Sequence, residues 1–238
     1  KEVEKLNVKI HIFQFTTNYY PLITFPLRVL KIRNFFKKHQ FNIIHSWHWS
    51  SDFSEPLAAK LAGIPWVFTK KSMGWGNKSW KWRSYLSSKI IIINSAMRQF
   101  FLNELADKVI NIPLGVDTNY YQPQTKCFET PEGLLFEKDD FVIVSISNLL
   151  PIKGIEILIK AVNELNNSKI KLCIVGNDVG DYAQKLKKIA ASNPGIYFLG
   201  KKLDVRPYLA MADLFVIPTL ALGEGLPIAP LEAMASER

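Results

Sequence analysis

The chain has 238 residues, 48% of them hydrophobic, with 30 Lys/Arg against 21 Asp/Glu and a formal net charge of +9. That length holds one large domain or two of ordinary size, and the apolar content excludes a disordered chain. Two cysteines far apart, Cys127 and Cys173, with no signal-peptide pattern, exclude a disulfide framework and favour a reducing cytosolic setting; no apolar run approaches the ~20 residues of a membrane-crossing helix.

Taken in chain order, short β-branched runs predict strands near 8–15, 42–46, 65–69, 89–94 and 108–112 in the first half. Helical spacing predicts helices near 24–39, 53–62, 78–87 and 95–105 between them. The rhythm breaks at PLGVDTNYYQPQTKCFETPEGLLFEKDD, rich in Pro, Gly and polar residues, which places a domain boundary at residues 122/123. Beyond it come strands near 140–146, 170–175, 195–199 and 213–218, with helices near 153–166, 180–192, 204–212 and 227–236. Alternating β and α segments of this kind predict an α/β fold with two Rossmann-like doubly wound domains, 1–122 and 123–238. A cleft between them is the expected ligand site. Both ends look cut, so both domains are expected to be incomplete.

Charge divides with the domains. Residues 1–125 carry 17 Lys/Arg against 7 Asp/Glu, a balance of +10, and all six tryptophans, Trp47, Trp49, Trp66, Trp75, Trp80 and Trp82. The predicted helix 24–39 sets Arg28, Lys31, Arg33, Lys37 and Lys38 beside Phe25, Phe35 and Phe36, and WGNKSWKWRSYLSSK sets Lys78, Lys81 and Arg83 beside Trp80 and Trp82. For the second of these, a partly buried helix with snorkelling basic stems is the favoured explanation. Together, basic and aromatic surface would suit an anionic membrane face or a lipid-diphosphate acceptor; no nucleic-acid recognition motif accompanies it. The Gly74-Trp75-Gly76 turn resembles a phosphate loop only in composition and receives no nucleotide role.

Two segments of the second half carry chemistry. In GEGLPIAPLEAMA, residues 223–235, Pro227 suits the first helical position, and Ile228, Leu231, Glu232 and Ala235 follow at i, i+3, i+4 and i+7. Glu232 therefore falls on the apolar stripe, where a carboxylate needs hydrogen-bond partners. A nucleotide diphosphate meets that need: with phosphate at the helix start, five residues of rise, about 7.5 Å, bring Glu232 to the ribose, and Glu224 faces the sugar. Taken singly, either Glu is better explained as a solvated or dipole-complementing side chain. The second segment weakens that explanation. In FVIVSISNLLPIKGIEILIKAV, Lys153 stands at the start of a helix, where a cation opposes the macrodipole unless an anion is bound. Both segments follow strands of one sheet, where doubly wound folds bind nucleotides.

These segments resemble the retaining GT-B glycosyltransferases of family 4 over nearly the whole chain. GEGLPIAPLEAMASER matches the family's E-x7-E signature, SNLLPIKG its R-L-x3-K-G loop, and VINIPLGVDTNYYQP its interdomain segment. HQFNIIHSWHW and AAKLAGIPWVFT match its first-domain strands. The resemblance implies transfer of a hexosyl group from a UDP- or GDP-sugar to a saccharide or lipid-linked acceptor, with retention at the anomeric carbon and without metal or cofactor. It implies further that Lys153 neutralises charge on the leaving diphosphate, that Glu224 binds the donor sugar and that Glu232 binds the ribose. Gly154, Gly225, Leu226 and Pro227 would complete the donor site. The other class of sugar transferase usually carries D-x-D, which is absent here; Asp178 and Asp181 are too far apart.

Two departures accompany the match. Asn148 stands where the family has Arg, removing half of a cationic clamp. Lys70 and Lys71 stand where the family often has His; Lys71 is a candidate for donor phosphates or an acidic acceptor. His45 and His48, at a strand end, face the expected cleft, with packing favoured over metal binding. A non-catalytic nucleotide-sugar-binding protein and a nucleotide-sugar epimerase stay open as alternatives, whereas a dinucleotide oxidoreductase lacks its G-x-G-x-x-G. The expected setting is surface-polysaccharide or glycolipid assembly, cytoplasmic or peripheral at the inner face of the plasma membrane.

Overall fold

The computed structural model describes residues 6–17, 20–48, 52–74, 79–101, 103–220 and 224–238. The chain divides into two units, Lys1–Pro113 and Leu114–Arg238. The division falls inside the Pro- and Gly-rich segment, upstream of the 122/123 boundary read from the sequence. Trp49, Trp75, Gly76 and Lys78 lie outside the described residues.

The first unit is built on four parallel strands, β1 (Ile44–Ser46), β2 (Trp66–Lys70), β3 (Lys89–Ile92) and β4 (Val109–Asn111), lying side by side in that order. Every residue of β2 is buried, as expected for a strand paired on both edges and covered on both faces. Helices α1 (Phe25–His39), α2 (Ser54–Ala62) and α3 (Ser79–Leu86) accompany the sheet. The helix α1 buries Val29, Ile32 and Phe36, spaced i, i+3 and i+7, and so presents one apolar stripe inward. The α2 helix stops at Gly63, whose φ of 75° a Cβ would strain.

The second unit has four parallel strands, β5 (Phe141–Ile146), β6 (Ile170–Val175), β7 (Ile196–Gly200) and β8 (Leu214–Phe215), in spatial order β7-β6-β5-β8. Helices α4 (Ile155–Leu165), α5 (Asp181–Ala190), α6 (Arg206–Met211) and α7 (Ile228–Ala235) complete it. Alternation along the strands divides the core in two. Ile143, Leu172 and Ile174 pack with Ile155, Leu158, Ile159 and Leu186 of α4 and α5. Val142, Val144, Cys173 and Val175 pack with Tyr208, Leu209 and Met211 of α6 and Ala233 of α7. The chain runs outward from β5 to β7 and returns on β5's other side as β8, which makes the carboxyl ends of β5 and β8 the switch point where such sheets hold ligands.

Three predicted elements differ. Residues 8–15 form no strand: His11, Phe13 and Phe15 turn onto Phe35 and Phe36 of α1 while Val8, Ile10 and Ile12 are exposed. The period-2 pattern is real, but no ladder partner is present among the described residues. The predicted helix 95–105 is two 3-10 stretches, Ser95–Phe100 and Asn103–Lys108, separated at Phe101, whose backbone is extended. The strand predicted at 213–218 shortens to Leu214–Phe215 before Pro218, which has no N–H to give a ladder.

Candidate functional site

Glycines mark where strand tips of the second unit press together. After β5 the chain turns through a 3-10 stretch, Pro151–Lys153, to Gly154, the residue before α4, with φ of 68°. A Cβ on Gly154 would stand 2.0 Å from the carbonyl oxygen of Pro218, just past β8. On the other side, a Cβ on Gly176, just past β6, would stand 1.9 Å from the Ser147 carbonyl. Leu220 N–H donates to the Ile152 carbonyl at 2.9 Å, tying the segment after β8 to the one after β5. Both side chains are excluded by backbone, which flexible neighbours cannot relieve, so the three tips approach only because these positions are glycine.

Lys153 and Glu224 meet at this junction. The Lys153 ammonium forms an ion pair with a Glu224 carboxylate oxygen, and the two side chains are only 16% and 23% exposed. Burial lowers the Lys153 pKa from its ordinary value. An ammonium held with one carboxylate in a partly dry setting is a cation that an incoming anion can recruit. The hydroxyl oxygens of Ser147 and Thr219, at the tips of β5 and β8, are buried without a hydrogen-bond partner among the described residues. Buried hydroxyls of that kind call for a ligand or water.

Glu224 precedes Gly225, Leu226 and Pro227, which lead into α7. Gly225 is buried and the other two half-buried. Pro227 is extended, φ −70° and ψ 135°, and serves as N-cap; the helix begins at Ile228, one residue later than the sequence pattern placed it. The shift leaves four residues of rise, about 6 Å, between the helix start and Glu232. Glu232 is half-buried. Burial first, and then the influence of the Glu232 carboxylate, raises the Tyr121 pKa. Asn148 is exposed and lies in the loop after β5, its carbonyl accepting from Leu150 N–H at 2.9 Å.

In the first unit, His45, Trp47 and Lys71 gather at the carboxyl ends of β1 and β2. His45 Nε2 lies 2.8 Å from Thr69 Oγ1, its ring stands edge-on to Trp47 at 5.7 Å, and Lys71 Nζ lies 5.3 Å from the Trp47 ring centre. His48 is exposed two residues past β1. Lys70, by contrast, turns inward: its ammonium donates to the Gly74 carbonyl at 2.7 Å, lies 5.1 Å from the Phe100 ring centre, and is pushed down to a pKa of about 8 by burial. Among the described residues no three or more His, Cys, Asp or Glu form a metal-binding group.

Sequence reasoning missed Tyr121, Ser147 and Thr219. Tyr121 lies in the segment assigned to the domain connection, and nothing in its polar surroundings indicates that its ring packs against the buried core of the second unit.

Comparison with known proteins matches each unit to a family model: "Glycosyltransferase Family 4" over residues 1–120 and "Glycosyl transferases group 1" over residues 140–238. A curated relative is the Escherichia coli UDP-Gal:alpha-D-GlcNAc-diphosphoundecaprenol alpha-1,3-galactosyltransferase, 24% identical over 232 residues, covering 87% of this chain and 59% of the relative. Another is a GDP-mannose-dependent phosphatidylinositol monomannoside mannosyltransferase of Corynebacterium glutamicum, 34% identical over 137 residues, 52% of this chain and 35% of that one. The chain therefore spans little more than half the length of the first of these relatives. Among solved structures, a glycosyltransferase of Rickettsia africae superposes with a TM-score of 0.80 at 18% identity, covering all of this chain and 66% of that one. Anabaena HepE in complex with UDP and glucose superposes at 0.75 and 19% identity, covering all of this chain and 68% of that one. With a family model spanning its first half and a glycosyltransferase model its second, on two Rossmann-like α/β units of the GT-B class, the chain belongs to glycosyltransferase family 4.

Proposed function

We propose that this chain carries the donor site of an enzyme that transfers a hexosyl group from a UDP- or GDP-sugar to a saccharide or lipid-linked acceptor, retaining the anomeric configuration. The observation that carries the reading is the Lys153–Glu224 pair, drawn from the two strand ends that flank the switch point and set beside the start of α7. A diphosphate arriving there exchanges one anionic partner of Lys153 for another. The ammonium then stands against the charge that develops on the leaving diphosphate as the bond to the anomeric carbon breaks. Glu224, released, accepts from sugar hydroxyls. The first N–H groups of α7, with Gly225 and Leu226, present backbone donors to the phosphates, and Glu232 takes the ribose hydroxyls. Ser147 and Thr219 supply two more hydroxyls whose buried oxygens lack partners. In this reading Lys153 provides the positive charge at the leaving group, and the transfer needs neither a metal nor a cofactor.

The relatives named for diphosphoundecaprenol-linked and phosphatidylinositol-linked acceptors favour a lipid-linked acceptor here as well. The surface of α1 fits that choice and favours a peripheral position at a membrane. Leu22, Ile23, Leu27 and Leu30 are exposed beside Lys31, Lys37 and Lys38, and the helix contains no acid.

Incubating the protein with labelled UDP- and GDP-sugars and an extract of lipid-linked saccharides tests the reading. The expected product is a lipid-linked saccharide extended by one α-linked hexose from an α-linked donor. Donor binding without consumption would instead support a non-catalytic nucleotide-sugar-binding protein, the alternative that Asn148 favours, and an epimerised free donor would support an epimerase.

A further inference from the structure

The second unit holds a polar cavity at the end of its sheet opposite to the Lys153–Glu224 junction. It measures about 580 Å³ and opens where β6 and β7 begin and where α4 and α5 end. That size lies within the range of ordinary ligand pockets, roughly 300–1,000 Å³. The six residues of β6, about 20 Å at 3.3 Å each, separate the cavity from the strand tips at the switch point.

The floor of the cavity is made of amides. Asn193 Nδ2 donates to Asn163 Oδ1 at 3.1 Å, Asn163 Nδ2 donates to the Ile189 carbonyl at 3.3 Å, and Gly195 N–H donates to Asn193 Oδ1 at 2.9 Å. A Cβ on Gly195 would stand 2.8 Å from the Ile170 carbonyl oxygen, so a glycine is needed for the starts of β6 and β7 to close this floor. These bonds belong to the fold, and the floor is therefore ordered before anything binds to it. The rim is different. Among the described residues, the Asn166 side chain, the Asn167 amide nitrogen and the hydroxyls of Ser192 and Tyr197 have no protein hydrogen-bond partner. Amides and hydroxyls both donate and accept, as the hydroxyls of a sugar do. Tyr197 adds an aromatic ring, fixed edge-on to the buried Phe136 at 5.8 Å.

Charge selects against an anion. Lys171 is the only charged side chain lining the cavity, and its ammonium is committed, donating to the Ser168 carbonyl at 2.8 Å and lying 3.7 Å from the Asp140 carboxylate. Both α4 and α5 bring their carbonyl ends to this end of the sheet, and helix C-termini disfavour negative charge. A phosphate finds no free cation here, whereas a neutral polyhydroxylated ligand finds donors and acceptors around an aromatic ring.

We infer that this cavity is a second saccharide site, which holds neutral sugar units of an oligosaccharide away from the switch point. Holding a saccharide there keeps its chain at high local concentration around the enzyme. The inference stands apart from the donor reading, because binding here needs neither a nucleotide nor turnover.

Titration of the 15N-labelled protein with maltotriose, α-1,6-mannotriose and α-1,3-galactobiose, followed by amide resonances, tests it, with inorganic phosphate as the charged control. At least one of the saccharides is expected to shift the resonances of Asn163, Asn193 and Gly195, equally with and without UDP, while phosphate leaves them in place. Ser192→Trp, which fills the cavity from its exposed rim, should weaken that saccharide at least tenfold. Tyr197→Phe, which keeps the ring and removes the hydroxyl, should weaken it by about threefold to tenfold with a thermal midpoint close to wild type. The site is overturned if none of the saccharides shifts these resonances, if phosphate shifts them as well, or if UDP abolishes the saccharide shifts. Saccharide affinity unchanged in a folded Ser192→Trp overturns it too, and should tryptophan prevent folding, unchanged affinity in Tyr197→Phe does the same.

Discussion

Lys70 shows how much a single side chain departs from the surface lysine its sequence context suggests. It ends β2 with its ammonium against the Gly74 carbonyl and the Phe100 ring, and burial pushes its pKa down from 10.5 to about 8. The unfolded chain therefore holds a proton on Lys70 that the folded chain has released between pH of about 8 and 10.5. Where the unfolded state binds more protons, stability rises with pH, so this lysine's contribution improves across that window and is constant below it. Denaturant unfolding followed from pH 7 to 10.5 checks this: Lys70→Met should flatten the rise relative to wild type, by on the order of 1 kcal/mol. Identical slopes in the two proteins would contradict it. The meeting of Lys153 and Glu224 was legible because each stands before a helix after a strand of one sheet. Lys70 and Lys71 were not distinguishable in sequence, since which of two adjacent lysines turns inward depends on strand alternation and on where Phe100 lies. Tyr121 was illegible for a related reason, its place against the buried cluster being fixed by tertiary packing alone.

At the scale of elements, period was the reliable signal and pairing the unreliable one. The strand β5 and helix α4 appeared as expected because FVIVSI has the continuous apolar run of a doubly covered strand and Ile155, Leu158, Ile159 and Val162 fall on one helical face. Residues 8–15 alternate as a strand does, yet a strand exists only with a partner, which the sequence of the segment cannot reveal. The basic helix 24–39 was legible as α1, and the structure adds that its outer surface opens with Leu22, Ile23, Leu27 and Leu30, of which Ile23 and Leu27 are 86% and 68% exposed. Apolar side chains beside cations suit shallow insertion into an anionic bilayer. Co-sedimentation should show binding to vesicles rich in phosphatidylglycerol and little to phosphatidylcholine alone. Lys31→Ala, Lys37→Ala and Lys38→Ala combined should weaken it by roughly a hundredfold, at about 1 kcal/mol per cation near the surface. Binding indifferent to both lipid charge and these substitutions would contradict a membrane role for α1.

For the whole molecule, charge and chemistry divide along the chain. The +10 balance lies within residues 1–125, whereas Lys153, Glu224 and Glu232 all lie in the second unit, whose sheet order creates the switch point. Two Rossmann-like units were legible because βα alternation is a global pattern that survives errors at single elements. The joining of the strand tips was not, since it depends on Gly154 and Gly176 meeting backbone oxygens from elsewhere in the sheet. Whether this junction grips a nucleoside diphosphate through Lys153 is decided by titrating UDP against UMP, and GDP against GMP, into wild type and Lys153→Ala. The substitution should weaken the diphosphate by about 10- to 100-fold, the cost of one charge-assisted contact, and leave the monophosphate within about twofold. Diphosphate affinity unchanged in Lys153→Ala would contradict it.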